Sequence, residues 1–288
     1  MWCADKWKEY QIIDTSGGEK LEMWGKYSLI RPDPQVIWDS EKKNPLWRKA
    51  DASYSRSRKG GGAWSENRLP ESWTVNYADL TFRIKPMGFK HTGLFPEQAV
   101  NWDWFRELIA NAGRPISVLN LFAYTGGATV AAAKAGAAVC HVDASKGMVA
   151  SAKENARLCH LDDAKIRYIV DDCKKFIERE IRRGNKYDAI IMDPPSYGRG
   201  PTGEVWKIEE AIDNFVELSS FVLSDNPLFF LLNSYTTGLS ASTMKYITDM
   251  RLLRKFKGKS EADELGLPVE DSGLCLPCGS SVRVTFSL

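Results

Sequence analysis

Short apolar runs alternate with segments of helical periodicity from Asn101 onward. Ile116–Phe122 is apolar without a period, as is typical of a strand buried on both faces. Ser145–Leu158 starts with a serine suited to cap a helix and then carries apolar residues at helical spacing. The predicted strands are Ile116–Phe122, Ala137–Val142, Lys165–Val170, Tyr187–Met192 and Leu228–Leu232, and the predicted helices are Ala128–Ala135, Ser145–Leu158, Lys174–Arg183 and Glu204–Leu223. This alternation predicts a doubly wound α/β fold with a mostly parallel sheet and helices on both faces.

The two ends of the chain have other patterns. Ser281–Leu288 alternates apolar and polar residues, which predicts a half-exposed antiparallel strand closing the sheet. Residues 1–85 contain seven tryptophans and short β-like runs broken by Pro and Gly: Lys26–Ile30, Gln35–Trp38 and Thr81–Ile84. We therefore expect a small strand-rich domain over 1–85, with a loop at residues 56–62, and a second domain over 86–288.

Composition narrows the class of protein. Hydrophobic residues make up 43% and charged residues 26% of the chain, values that suit a globular domain, and the net charge of +2 does not by itself indicate a nucleic-acid partner. The six cysteines are scattered, so we expect reduced thiols, including Cys275 and Cys278 of a lone CxxC that no second pair completes as a metal site. No signal or membrane-spanning pattern is visible, which favours the cytoplasm; the sequence does not indicate the oligomeric state.

Polar residues follow each predicted strand, at the edge of a doubly wound sheet where ligands bind. The first strand is followed by Ala123–Ala128, with Gly126 and Gly127, and the second by Asp143, a carboxylate suited to accept hydrogen bonds from two ribose hydroxyls. The third ends in Asp171 and Asp172, and the fourth in Asp193–Tyr197. Each has an ordinary alternative, since such glycines form turns and such acids cap helices. Their joint occurrence along one edge favours a binding site.

A nicotinamide-dependent enzyme is the main alternative for this fold. Its fingerprint, G-x-G-x-x-G followed by an acid after the second strand, is met by Asp143 but not by the adjacent Gly126 and Gly127. That alternative also gives no role to the Asp193-Pro-Pro motif.

Asn120-Leu-Phe-Ala-Tyr-Thr-Gly-Gly127 resembles the first motif of class I S-adenosylmethionine-dependent methyltransferases, in the form found in bacterial large-subunit (23S) ribosomal RNA methyltransferases that make 5-methylcytosine and 7-methylguanine. The resemblance continues through His141–Ser145, Asn155–Leu158, Tyr168–Phe176 and Ile190–Tyr197, with Lys90–Gln98 upstream. It covers residues 90 to about 235 and implies a seven-stranded Rossmann-like sheet.

The resemblance implies that S-adenosylmethionine is the cofactor and that no metal is needed. Tyr124–Gly127 would surround the methionine portion, Asp143 would bind the ribose and Asp172 the adenine amino group, while Gln98 would close the site. The cofactor-binding residues so implied are Thr92, Phe95, Gln98, Phe122, Ala123, Tyr124, Thr125, Gly126, Asp143, Ala144, Ser145, Asp172, Cys173 and Asp193.

The catalytic residues implied are Asp193, Pro194, Pro195, Ser196, Tyr197 and Asn233. Tyr197 is suited to stack on an extruded base, with a core tyrosine as the equally weighted alternative. Methylation of cytosine C5 needs a thiol nucleophile, which the family carries after the fifth strand, but Leu232–Thr237 contains no cysteine. We therefore expect a target that is already nucleophilic, such as a ring nitrogen or a hydroxyl, with a ring nitrogen favoured over cytosine C5.

A basic segment precedes the implied catalytic domain. Between Lys42 and Arg68, eight basic residues (Lys42, Lys43, Arg48, Lys49, Arg56, Arg58, Lys59 and Arg68) stand against Asp51 and Glu66, interleaved with Trp47, Tyr54 and Trp64. Cations that neutralise phosphates and aromatics that stack on bases favour single-stranded RNA, although a solvated basic face over core tryptophans fits the same pattern.

Together these observations predict a methyltransferase that uses S-adenosylmethionine and acts on a base of RNA, with ribosomal RNA as the expected substrate. The alternatives are a methyltransferase for a small molecule or a protein, and a binding module without catalysis.

Overall fold

The computed structural model describes residues 1–57, 61–65, 68–88, 90–199, 205–236 and 238–287. The chain forms two units. The first contains Met1–Ala99 and Gly266–Cys278, and the second contains Val100–Leu265 and Gly279–Leu288. The division falls after Ala99 rather than after residue 85, and the first unit includes a C-terminal segment that the sequence placed in the second domain.

The second unit has the predicted alternation of strands and helices. Its strands are β9 (Ser117–Leu121), β10 (Ala138–Asp143), β11 (Ile166–Val170), β12 (Ala189–Met192), β13 (Tyr197–Arg199), β14 (Val205–Lys207), β15 (Phe229–Ser234), and parts of β16 (Gly258–Pro268) and β17 (Cys275–Phe286). Its helices are α2 (Ala99–Ala110), α3 (Gly127–Lys134), α4 (Lys146–Leu158), α5 (Cys173–Arg183), α6 (Ile208–Ser220) and α7 (Ala241–Thr248), which a π-helical turn, Asp249–Leu253, follows.

The main sheet confirms the doubly wound fold. Its order is β16-β17-β15-β12-β9-β10-β11, with β9, β10, β11, β12 and β15 parallel and β17 antiparallel to β15. A two-residue strand of the first unit, β1 (Trp2–Cys3), is an eighth member beside β16, and Ala4 N–H donates to Gly266 O there (2.9 Å). The predicted antiparallel C-terminal strand is therefore present, and it starts earlier than expected.

Helices cover both faces of this sheet because its central strands are apolar on both sides. On one face Leu121, Ile190 and Phe230 belong to a buried cluster that includes Phe176 of α5 and Phe215 of α6. On the other face the ring of Phe105 in α2 stacks on Phe229, with centroids 5.8 Å apart. None of the helices in the described part of the chain is long and apolar enough to cross a membrane.

The first unit is strand-rich, as predicted. It contains, besides β1, β2 (Tyr10–Ser16), β3 (Glu19–Trp24), β4 (Tyr27–Pro32), α1 (Leu46–Lys49), β5 (Ala52–Arg56), β6 (Gly62–Ser65), β7 (Trp73–Tyr77), β8 (Leu80–Ile84) and a 3-10 turn, Pro96–Gln98. Strands β2-β3-β4-β5-β6 form one sheet, in which only β4 and β5 are parallel, and β7 and β8 form a hairpin.

Two predicted elements differ from the structure. Residues 35–38 form a turn instead of a strand, because the Asp33 carboxylate accepts the Gln35 N–H (3.0 Å) in an Asx-turn. The helix predicted over Glu204–Leu223 is Ile208–Ser220, and Val205–Lys207 pairs with Tyr197–Arg199 instead. Branched Val205 and aromatic Trp206 suit a strand better than a helix end. Glu204 lies outside the described residues, as do Arg58–Gly60 within the predicted 56–62 loop.

The expectation of reduced thiols is wrong for Cys275, which forms a disulfide with Cys3. The two residues are 272 positions apart in sequence, and their Cα atoms lie 6.8 Å apart. The pairing of β1 with β16 and the hydrogen bonds from Glu270 and Asp271 N–H to Ile12 and Ile13 O bring the beginning and end of the chain together, so cysteine spacing could not indicate the bond. Cys278 stays a free thiol.

A buried ion-pair network crosses the first unit. Glu22 is inaccessible to solvent and accepts from Arg31 Nε (2.6 Å) and Nη2 (2.7 Å), as well as from the Tyr10 hydroxyl (2.7 Å). Burial raises the pKa of Glu22, but Arg31 and Lys20 lower it more, to about 2. The carboxylate is thus held ionised in the core by paired charges and by hydrogen bonds that satisfy both oxygens.

We expect Glu22→Gln to lower the free energy of unfolding by about 3–5 kcal/mol, because it leaves the Arg31 guanidinium buried without its counter-charge. Urea denaturation of the intact chain measures this. Glu19→Gln, which removes the exposed partner of Lys42, should cost less than about 1 kcal/mol. Folding lowers the pKa of Glu22, so the ionised carboxylate stabilises the folded state fully above the unfolded-state pKa near 4.5. This stabilisation is lost as the pH falls toward about 2. Equal effects of the two substitutions would contradict this account.

Candidate active site

The carboxyl ends of four parallel strands meet at one edge of the sheet. Leu121 of β9 lies between Val142 of β10 and Met192 of β12, and Met192 pairs with Leu232 of β15. The residues that follow these strands are therefore neighbours, as the sequence pattern predicted.

The loop after β9 has an unusual backbone. Phe122 (φ 54°) and Tyr124 (φ 52°) are left-handed although neither is glycine, which costs about 1–3 kcal/mol each. Hydrogen bonds offset this strain: Phe122 N–H donates to Cys173 Sγ (3.3 Å), Ala123 N–H to Val142 O (3.0 Å) and Tyr124 N–H to Asp143 Oδ2 (2.8 Å). Such strained segments cluster at functional sites, where the surrounding structure holds them in place.

Asp143 connects this loop to the next one. Its Oδ2 accepts from Tyr124 N–H and its Oδ1 from Ser145 N–H (2.8 Å). Each carboxylate oxygen can accept a further hydrogen bond, so the group can still bind hydroxyls. Burial raises the pKa of Asp143, whereas the hydrogen bonds from Ser145 and Tyr124 lower it. Ala144 and Ser145 are exposed, and Ser145 caps α4 as predicted, accepting from Met148 N–H.

Gly126 serves the packing of the loop on α4. Its φ is 82°, and a Cβ there would lie 2.8 Å from Ala152 Cβ. A glycine is therefore required here for packing on α4, and its predicted contact with the cofactor stays a prediction. Asn155 of the same helix donates from Nδ2 to the Thr125 carbonyl (2.9 Å), which fixes the loop from below.

A buried polar chain supports the same loop. Thr129 Oγ1 lies 2.8 Å from His141 Nδ1 and accepts from Asn120 Nδ2 (2.9 Å). Burial lowers the pKa of His141 to about 4, so the imidazole is neutral near pH 7. These three side chains are fully enclosed by β9, β10 and α3, and the sequence analysis assigned none of them a role.

Asp172 and Cys173 have structural partners. Asp172 is exposed and caps α5, accepting from Lys175 N–H (2.9 Å). Cys173 is buried next to it, burial raises the pKa of its thiol well above the usual range, and its Sγ accepts from Phe122 N–H. Contact of either residue with an adenine stays a prediction.

The Asp193-Pro-Pro motif leads into a β-hairpin. Pro194 is buried, whereas the Pro195 carbonyl accepts from Trp206 Nε1 (2.6 Å) of the returning strand β14. The Trp206 ring lies 5.5 Å from both Phe122 and Phe215. Trp206 therefore joins the motif, the loop after β9 and α6, a role that the sequence analysis missed because it placed this residue in a helix.

Ser196 and Tyr197 follow the two prolines. Ser196 Oγ accepts from Thr236 Oγ1 (2.5 Å), which ties the motif to the loop after β15. Tyr197 starts β13 and is 50% exposed, so it is not the core tyrosine of the alternative interpretation. Asp193 is half-buried at the end of β12.

Asn233 lies near the end of β15 and makes contacts with two other elements. Its side chain is buried, and Oδ1 accepts from Ser281 Oγ (2.5 Å) and Asn101 Nδ2 (3.2 Å). These contacts join β15 to β17 and α2, so the carboxamide oxygen is already engaged. These contacts position the end of β15, and the predicted catalytic role of Asn233 stays a prediction.

Thr92, Phe95 and Gln98 belong to the first unit. Thr92 is buried, and its Oγ1 has no hydrogen-bond partner among the described residues. The Phe95 ring packs edge-on against His91, with centroids 5.5 Å apart, and the Gln98 side chain is buried. Their contact with a cofactor stays a prediction.

Much of the basic segment 42–68 is engaged within the first unit. Lys42 pairs with Glu19 (3.1 Å) and Lys43 with Glu41 (2.6 Å). The indole N–H groups of Trp47 and Trp64 donate to Asp14 (2.8 Å) and to the Met87 carbonyl (2.8 Å), and Tyr54 is buried. The aromatics thus pack within the fold, whereas Arg58 and Lys59 lie outside the described residues.

Comparisons with known proteins point to one class. Residues 53–212 match the sequence model of a family described as S-adenosylmethionine-dependent methyltransferase. A solved S-adenosylmethionine-dependent methyltransferase from Agrobacterium tumefaciens is 36% identical, with a TM-score of 0.91 over 97% of this chain and 91% of that chain. The structure of SMU.776, a methyltransferase complexed with SAH, shares the fold (22% identity, TM-score 0.74, 98% of this chain and 76% of that chain).

The curated relatives are longer proteins. Ribosomal RNA large subunit methyltransferase K/L of Colwellia psychrerythraea is 31% identical over 271 residues, which are 93% of this chain but 34% of that protein. The same enzyme of Shewanella frigidimarina is 32% identical over 74% of this chain and 27% of its own length. This chain spans about a third of the length of these relatives.

We expect Asp143→Asn to weaken binding of S-adenosylhomocysteine by about 1–3 kcal/mol, because a carboxamide replaces a charged acceptor of hydroxyl hydrogen bonds. Calorimetry measures the change, and Asp163→Asn, an exposed acid before β11, is the matched control. Because the pKa of Asp143 is raised, the carboxylate becomes protonated at a higher pH than an ordinary aspartate does. The affinity for S-adenosylhomocysteine should therefore begin to fall at that higher pH when the solution is acidified. Unchanged affinity in Asp143→Asn would contradict the assignment.

Proposed function

Because the chain belongs to the S-adenosylmethionine-dependent methyltransferase family, we propose that it transfers a methyl group to a base of ribosomal RNA, at a ring nitrogen. The single observation that carries the choice of atom is that the described residues place no usable thiol at the carboxyl edge of the sheet. The choice of RNA is supported by the curated relatives, which are named as ribosomal RNA methyltransferases.

The residues at the edge fit the cofactor. Asp143 offers carboxylate lone pairs to ribose hydroxyls, and the strained loop Phe122–Gly126 is fixed before any ligand arrives. The buried Thr92 Oγ1, which lacks a partner among the described residues, suits a ligand contact in the first unit. S-adenosylmethionine supplies a methyl group on a positively charged sulfur, which a nucleophile can take directly. Phe122, Ala123, Thr125, Ala144, Ser145, Asp172 and Cys173 remain proposals for the cofactor site of the second unit. Phe95 and Gln98 remain proposals as cofactor-binding residues of the first unit.

The cysteines do not suit a covalent mechanism. β15 ends in Asn233 and Ser234, neither of which is a thiol. Cys173, at the start of α5, is buried, has a raised pKa and accepts a hydrogen bond from the Phe122 N–H. A thiolate is the nucleophile that C5 chemistry requires, and burial keeps Cys173 protonated. Cys140 and Cys159 are also buried. A ring nitrogen carries its own lone pair and needs no adduct, so orientation of the base supplies the main catalytic effect.

The Asp193-Pro-Pro hairpin is the proposed base-holding element. Fixed φ angles at Pro194 and Pro195 stiffen the backbone, and the Trp206 and Thr236 contacts hold it from two sides. Half-exposed Tyr197 then offers a ring for stacking on an extruded base. Asp193, as an acceptor beside the prolines, would orient the base edge.

We assign RNA binding to the first unit, which contains the predicted domain 1–85 and extends to Ala99. It carries the basic segment Lys42–Arg68, whose phosphate contacts would make affinity depend on salt. Ribosomal RNA as substrate would place the protein in the cytoplasm.

We expect ribosomal RNA from cells lacking this gene to lose one methylated base nitrogen, as nucleoside mass spectrometry would show. Complementation with the wild-type gene should restore the nucleoside and complementation with Asp193→Ala should not, because the proposed acceptor beside the base is missing. Conserved abundance of Asp193→Ala on an immunoblot controls for folding. Identical nucleoside profiles with and without the gene would favour a small-molecule or protein substrate.

We also expect no stable adduct between the protein and RNA containing 5-azacytidine, because no thiolate stands at the carboxyl edge. Denaturing electrophoresis after incubation with S-adenosylmethionine would reveal such an adduct as a band of higher mass. A retarded band that disappears in Cys173→Ala would overturn the ring-nitrogen proposal in favour of cytosine C5.

A further inference from the structure

Positive charge is concentrated where a turn of the first unit packs on the β5–β6 hairpin. Lys85 N–H donates to Thr92 O (3.0 Å) and Met87 N–H to His91 O (3.1 Å), so the chain folds back on itself here. The Tyr54 hydroxyl donates to Gly88 O (3.4 Å) and Trp64 Nε1 to Met87 O (2.8 Å). These contacts place the turn beside β5, which ends at Arg56.

Lys90 on this turn is half-buried among other cations. Its Nζ donates to Pro32 O (3.3 Å), and Arg31 Nη1 donates to the Lys90 carbonyl (3.0 Å). Burial lowers the pKa of Lys90 to about 8; Asp33 raises it, and Lys20, Arg56 and Arg31 lower it further. The charges that act on the Lys90 ammonium are therefore one carboxylate, that of Asp33, and three cations, those of Lys20, Arg56 and Arg31.

The nearby carboxylates are already engaged by other cations. Glu22 is held by two nitrogens of Arg31, and Asp33 lies 3.2 Å from Lys20 Nζ. Neither Lys90 nor Arg56 has an ion pair with a carboxylate of the described residues. A half-buried ammonium without a counter-charge is unfavourable, so the pair is prepared for an anion from outside the chain.

We propose that Lys90 and Arg56 together bind a phosphate group of the RNA backbone. The guanidinium offers paired N–H donors that match two phosphate oxygens, and the ammonium adds a compact charge on the other side. The hydrogen bonds of Tyr54 and Trp64 fix the turn relative to β5, so the cations need no large rearrangement. The inference rests on the proposed function, because it takes RNA as the source of the phosphate group. Free phosphate has the same chemistry and would bind the same two cations.

The test is the salt dependence of RNA binding by the full chain. A fluorescein-labelled single-stranded oligouridylate is titrated at several salt concentrations with wild type, Lys90→Gln and Arg56→Gln, and affinity is read from anisotropy. Each substitution should weaken binding roughly ten- to hundredfold at low salt and reduce the slope of log K against log salt by about 0.7, the value for one phosphate on a single strand. Lys90→Arg should restore most of both.

Lys85→Gln is the matched control, since it removes one basic charge from the same turn, outside the Lys42–Arg68 segment, but one that Glu71 already pairs with. Its slope should stay at the wild-type value. If Lys90→Gln and Arg56→Gln also keep the wild-type slope, the phosphate site is refuted even though RNA binds.

A second measurement separates this proposal from the proposed function. The pKa of Lys90 is followed by NMR after reductive ¹³C-methylation, with Lys90→Arg assigning the resonance, in the absence and presence of inorganic phosphate. A bound anion favours the charged amine, so phosphate should raise the pKa of Lys90 above the value measured without phosphate. If the wild-type protein binds no RNA, RNA is not the substrate and the proposed function fails. A phosphate-induced rise in the pKa of Lys90 would then still support the anion site. Without such a rise, the anion site is refuted as well.

Discussion

The hydrogen bonds between Asp143 and the amides of Tyr124 and Ser145 determine the shape of the candidate site. They join the end of β10 to the loop after β9 and to the start of α4, so three elements depend on one carboxylate. Tyr124 and Phe122 stay in left-handed conformations only because such partners hold their N–H groups. The strain is stored in the folded protein, which means that the binding edge is arranged before a ligand arrives and ordering it costs little on binding.

Several residues of the edge serve structure and chemistry at the same time. Asp172 caps α5, Ser145 caps α4, and Cys173 accepts the Phe122 amide while filling the core. The sequence left open whether these residues cap helices or bind a ligand, and the two roles are compatible. A capping residue places its oxygen at the amino end of a helix, and ligands bind at that same edge of the sheet. For Gly126 the structural role is clear, because a Cβ there would clash with Ala152, and contact with the cofactor stays a prediction.

Local patterns predicted what local interactions decide. The order of β9 to β15, the Ser145 cap and Asp143 after β10 follow from periodicity and from residues a few positions apart. The partners of Asn233, by contrast, lie 132 and 48 positions away, and those of Cys3 lie 272 away. Helix α2, Ala99–Ala110, was missed although Trp102, Phe105 and Ile109 are buried at helical spacing, because no capping residue precedes it. Trp206 was placed in a helix since its partners, Pro195 and Phe122, cannot be identified from its neighbours in sequence.

Charge in the first unit shows why counting residues is a weak guide to a binding surface. The segment 42–68 has a surplus of six basic residues by sequence, yet Lys42 and Lys43 are neutralised by Glu19 and Glu41. Lys90, outside that segment, is held near Lys20, Arg31 and Arg56 by the fold. An external anion is attracted by the positive charge that internal ion pairs leave unneutralised. Those ion pairs form between strands that are far apart in sequence. Because Glu22 and Asp33 pair with Arg31 and Lys20, Lys90 and Arg56 keep the attraction for an external anion, so the buried network that stabilises this unit also directs its ligand binding.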